Sequence, residues 1–96
     1  KAANEYYENS ISQAIRDNNK RVIAYNYMGF GLISQKQNKL ENALDYFTRA
    51  EKMLSEIGEI RILIQVYHHQ ADTYKMLNLF EKADRCLTLA NEMALF

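Results

Sequence analysis

The chain has 96 residues, with twelve basic and twelve acidic side chains, no proline, three glycines and one cysteine. That size fits one domain or a piece of one, with a core that is only just adequate. The zero formal net charge argues against a nucleic-acid surface, which needs a basic excess on one face. The lone Cys86 rules out an internal disulfide and points to a reduced, cytoplasmic setting.

Leu, Ala, Glu, Lys, Gln and Met are plentiful, so the composition favours helix. No apolar run reaches the length of a membrane span; the best, Ile60 to Tyr67, is interrupted by Arg61 and Gln65. The opening KAANEYYENS is polar and helical rather than a signal peptide. There is no initiator Met and both ends read as cut from helices, so a fragment of a longer protein is expected.

Taken in order, the pattern predicts five helices. The first covers 1–17, with Ala3, Tyr7, Ser10 and Ala14 on one face, and Asp17, Asn18 and Asn19 break it. The second, 20–36, turns Ile23, Tyr27, Phe30, Gly31 and Ser34 inward; Gly31 marks a close approach by another helix, the alternative being that Gly29 and Gly31 simply weaken this one. Gln37, Asn38 and Lys39 form a turn. Asn38 either ends a helix in the left-handed conformation or opens a capping box with Glu41. The third helix, 40–55, buries Leu40, Ala43, Leu44, Phe47, Ala50 and Leu54, and Gly58 closes it. The fourth, 60–76, buries Ile60, Leu63, Ile64, Tyr67, Ala71 and Tyr74. Asn78 with Glu81 repeats the turn, and the fifth, from Phe80 onward, buries Phe80, Ala83, Leu87, Ala90 and Ala94.

The chain also matches itself at an offset of forty residues. Arg21, Tyr27, Asn38, Glu41, Ala43, Thr48, Ala50 and Met53 recur as Arg61, Tyr67, Asn78, Glu81, Ala83, Thr88, Ala90 and Met93. Forty residues further back, Ala3, Tyr6 and Tyr7 align with Ala43, Tyr46 and Phe47. Two helices per unit at this period signal a stacked helical solenoid.

Tyr27, Phe30 and Gly31 on the first helix of a unit, followed by the small–large–small set Ala43, Phe47 and Ala50, resemble the tetratricopeptide repeat. The last unit offers Tyr67, Ala71 and Tyr74, then Ala83, Leu87 and Ala90. The resemblance implies an all-α, right-handed α–α superhelix of about two and a half repeats in one domain, 1–96. Residues 1–18 would be the second helix of a preceding repeat, with full repeats at 20–55 and 60–96. Gln70 and Ser34 depart from the family's large apolar and aromatic preferences, its terminal proline is absent, and its commoner period is shorter. Units of this length with a loop like SEIGEIR are similar to those of bacterial peptide-pheromone receptors, the Rap phosphatases and NprR-like transcription regulators.

In such a solenoid the first helix of each unit lines the concave face. That places Tyr25, Met28, Leu32 and Gln35, then Gln65, His68, His69 and Asp72, along a groove suited to an extended peptide or protein segment. His68, His69 and Asp72 share a helix face at metal-ligand spacing, but two or three ligands on one helix make no closed site, so no metal or other cofactor is expected. No catalytic Ser–His–Asp set, Gly-rich phosphate loop or paired-carboxylate motif stands out, and Glu51 and Glu56 read as solvated. Cys86 takes the place of Tyr46 and reads as a packing residue. The expected function is peptide or protein binding, without direct nucleic-acid or membrane contact. The alternative is a scaffold that self-associates into a homo-oligomer.

Overall fold

A computed structural model of the chain describes residues 12–95, with side chains from Asn18 onward. Among the described residues there are four helices and no strand: α1 (Ser12–Lys36), α2 (Leu40–Ile57), α3 (Ile60–Met76) and α4 (Phe80–Ala94). The expected break at Asp17–Asn19 is corrected, because α1 runs through it unbroken. Asp and Asn cost a helix interior only about 0.7 kcal/mol each, and neither Gly nor Pro is present there to enforce a stop. Ser12 to Asn18 therefore belong to α1 and not to a separate preceding helix; the rest of that expected helix, with Ala3, Tyr7 and Ser10, lies outside the described residues.

The turns at Asn38 and Asn78 share one geometry. The two asparagines have φ of 63° and 62°. Lys39 N–H donates to the Ser34 carbonyl at 2.8 Å, and Leu79 N–H donates to that of Tyr74 at 2.8 Å. Asn38 N–H reaches Gln35 at 3.0 Å, and Asn78 N–H reaches Lys75 at 2.9 Å. These paired bonds satisfy the carbonyls left open at a helix end. Gly58, with φ of 73°, closes α2 in the same way, Glu59 N–H donating to Leu54 at 3.0 Å. The left-handed reading of Asn38 is thus the one realised. The capping box with Glu41 is not, since Lys39 occupies the N-cap position and no side-chain cap bond forms. Left-handed backbone costs an ordinary L-residue roughly 1–2 kcal/mol and glycine almost nothing. Asn38→Ala should therefore lower stability in urea unfolding by about 1 kcal/mol, while Asn38→Gly should leave it equal or higher.

α1 packs along α2 and α3 along α4, α2 joins the two hairpins by lying against α3, and among the described helices α4 lies beside α3 alone. The core comprises Ala24, Ala43, Phe47, Ala50, Leu54, Leu63, Val66, Ala71, Ala83 and Ala90, all nearly inaccessible. Alanine-rich contact faces let the helix axes approach closely, and Phe47 and Leu54 fill the space between. Gly31 faces the Phe47 ring so closely that an added Cβ would sit 2.5 Å from it, which bears out the expected close approach.

Single-stripe reasoning fails where a helix has one neighbour too many or too few. α3 lies between α2 and α4, so it buries Ile62, Val66, Gln70 and Thr73 in addition to Leu63, Tyr67 and Ala71. α1 has no such helix on its far side among the described residues, so Ile23 and Phe30, expected inward, are 40% and 50% exposed. Ile60, Phe80 and Ala94 are likewise exposed rather than buried.

Candidate functional site

The eight residues expected to line a groove divide into three groups. Tyr25, Gln65, His68 and Asp72 are exposed, on α1 and α3. Leu32 and His69 are half-covered: Leu32 packs against the core, and the His69 ring stacks on Phe47 at 5.7 Å between centroids. Met28 is buried, a correction to its expected exposure: it belongs to the core cluster and lies two turns before Gln35, on the side of α1 that Gln35 ties to α3. Gln35 is spent on structure, since its Nε2 donates to Thr73 Oγ1 at 2.8 Å and ties α1 to α3. Thr73 in turn donates to the His69 carbonyl at 2.9 Å.

The surface left for a ligand is therefore narrower than the sequence suggested. Helical spacing puts Tyr25 and Leu32 on one face of α1, and Gln65, His69 and Asp72 on one face of α3. Burial lowers the His69 imidazole below its ordinary value; neighbouring Asp72 opposes that shift and His68 adds to it. A neutral imidazole beside an exposed carboxylate and an amide offers hydrogen-bond donors and acceptors to a peptide backbone. Recesses lie elsewhere: one of about 380 Å³ where Asn38–Asn42 meets Leu77, one of about 350 Å³ along Asn78–Lys82, and one of about 270 Å³ lined by Tyr27, Arg49 and Glu56. None of these is lined by any of the eight residues.

Sequence reasoning missed Glu51. It is half-buried on α2 and accepts from Tyr67 Oη at 3.3 Å and from Gln70 Nε2 at 3.0 Å, both on α3. The Gln70 carbonyl oxygen is 3.7 Å from the Cys86 thiol on α4, so one polar chain crosses three helices. A glutamine at an apolar core position was the available signal, because a buried amide requires partners. Burial raises the Tyr67 phenol, and the Glu51 charge and hydrogen bond raise it further. Burial also pushes the Cys86 thiol up, the Glu51 charge adding to it and Arg85 opposing, which fits a packing role rather than a reactive one. Glu51→Ala should cost about 1–3 kcal/mol in urea unfolding, because Gln70 loses its acceptor while buried. The same change should bring the tyrosinate absorbance transition of Tyr67 down towards its ordinary position.

Among the described residues no three His, Cys, Asp or Glu side chains converge as a metal site, His68, His69 and Asp72 included. No helix among them is long and apolar enough to cross a membrane. Compared with protein-family models, curated proteins and solved structures, the chain finds no match.

Proposed function

We propose that the chain is a protein-interaction module of tetratricopeptide-like hairpins stacked as a superhelix, binding an extended peptide or protein segment across α1 and α3. The observation that carries this reading is the exposed set Tyr25, Gln65, His68 and Asp72 flanking the half-covered Leu32 and His69. An aromatic and a leucine beside amide, imidazole and carboxylate groups provide an apolar seat and backbone-directed hydrogen bonds together. Support for repetition comes from the Asn38 and Asn78 turns, whose backbone bonds correspond at an offset of forty residues. Each helix also touches mainly its neighbours, as stacked hairpins do. The SEIGEIR connection and the unit length favour the peptide-sensing part of a bacterial transcription regulator or response-regulator phosphatase.

The packing of Leu32 and His69 makes them poor probes, since their replacement would disturb the core. Tyr25→Glu and Asp72→Lys are the clean variants. Against a peptide selected from a random display library, each should weaken binding by about 30-fold, roughly 2 kcal/mol, with the far-UV helical signal unchanged. Undiminished affinity in both variants would remove this surface from the account.

A further inference from the structure

Three buried side chains with polar ends follow one another along α3 at every third residue: Tyr67, Gln70 and Thr73. Residues three apart are neighbours on a helix surface, so these form a row. The preceding hairpin engages the whole row. Glu51 of α2 accepts from Tyr67 Oη at 3.3 Å through one carboxylate oxygen and from Gln70 Nε2 at 3.0 Å through the other. Thr73 Oγ1 accepts from Gln35 Nε2 of α1 at 2.8 Å. Among the described residues no buried side-chain nitrogen or oxygen is left without a partner.

The hairpin itself does not demand polar groups at these positions. Forty residues earlier, α1 carries Tyr27, Phe30 and Ile33 there, so only the tyrosine recurs. On the partner side, Glu51 and Gln35 are replaced in the second hairpin by Asn91 and Lys75, both exposed. The polar row therefore belongs to this junction and not to the repeated unit. Its net contribution to stability is small, because apolar residues of similar volume in such a place are as good or better.

What the row supplies is direction. Apolar contacts tolerate sliding, since the hydrophobic effect is non-directional. A slide of α3 along α2 by one residue, about 1.5 Å, carries a donor out of hydrogen-bonding reach of its acceptor. Gln70 cannot turn its amide over to compensate, because its carbonyl would then face the Glu51 carboxylate. Direction matters at this junction, where α1 touches α3 sparsely and α2 meets α3 less extensively than it meets α1.

We propose that the row Tyr67–Gln70–Thr73, held by Glu51 and Gln35, is an orientation lock that fixes how the second hairpin sits on the first. The lock allows one register, while the apolar core around Phe47, Leu54 and Val66 provides the cohesion. The orientation it fixes also sets the spacing of Tyr25 and Leu32 on α1 from His69 and Asp72 on α3.

The test compares the whole chain with a variant in which the lock is made apolar: Gln35→Leu, Glu51→Leu, Tyr67→Phe, Gln70→Leu and Thr73→Val. In urea unfolding, Glu51→Leu alone should lower the midpoint, because Gln70 stays buried without its acceptor. The fully apolar variant should recover the wild-type midpoint. Amide residual dipolar couplings of the labelled chain, weakly aligned in a stretched gel, give the second readout. In the wild type, couplings from α1–α2 and from α3–α4 should fit one common alignment tensor. In the apolar variant the two hairpins should each keep their internal fit and lose the common tensor. An apolar variant that keeps the wild-type common tensor overturns the proposal, as does a wild type that lacks one. A midpoint that stays as low as that of Glu51→Leu also overturns it, since the row would then be a source of stability and not of orientation.

Discussion

Phe47→Ala is expected to lower the free energy of unfolding by about 3–5 kcal/mol. Phe47 is fully inaccessible and stands where three helices meet. On one side its ring fills the space opposite Gly31 of α1, and on another it stacks under His69 of α3. Truncation would leave a void between the backbone at Gly31, which has no side chain to fill it, and the His69 ring. A domain of this size has a total stability of roughly 5–15 kcal/mol, so the variant should be largely unfolded at modest urea concentration. The removal of His69's stacking partner gives a second readout, since its imidazole, lowered by burial, should titrate closer to the ordinary value by NMR.

Gly31→Ala is the second large effect, and its sign opposes helix propensity. In an open helix, glycine to alanine gains about 1 kcal/mol. At position 31 the new methyl would meet three atoms of the Phe47 ring at 2.5 to 2.9 Å, and that ring is fully buried. Overpacking of this kind costs roughly 1–3 kcal/mol, so a net loss is expected by urea unfolding. Gly29, two residues away on the same helix, meets nothing within 4 Å, and Gly29→Ala should instead stabilise by about 1 kcal/mol. The second hairpin indicates how the clash can be relieved. At the positions forty residues on, Ala71 and Leu87 replace Gly31 and Phe47, a methyl added on one helix as a ring is lost on the other. Adding Phe47→Leu to Gly31→Ala should therefore recover part of the stability lost, a coupling that a double-mutant cycle measures.

The all-helical architecture was legible in the sequence, and so were its boundaries at Asn38, Gly58 and Asn78. Each boundary rests on local chemistry, namely a residue that tolerates left-handed backbone at the end of an apolar period. The close approach at Gly31 was legible for a similar reason. What the sequence concealed depends on neighbours. Val66 and Thr73 lay outside the single buried stripe assigned to α3, which in fact packs on two sides. Ile23 and Phe30 looked like core because nothing local reveals that, among the described residues, no helix lies behind α1. Met28 and Gln35 were placed in a groove, although the α1–α3 contact takes them. The continuity of α1 through Asp17–Asn19 was hidden because weak helix formers were read as a stop. Half of the expected binding residues (Tyr25, Gln65, His68 and Asp72) remain exposed, and the partner that Gln70 required turned out to be Glu51.

The central claim is that α1 and α3 together present a surface for an extended segment. The most direct measurement is a backbone amide chemical-shift map of the isotopically labelled chain, titrated with a peptide selected from a random display library. The account predicts that the largest changes cluster at Tyr25, Leu32, Gln65, His68, His69 and Asp72, with α2 and α4 little affected. Changes concentrated on the outer faces of α2 and α4, or a library that yields no binder, would contradict it.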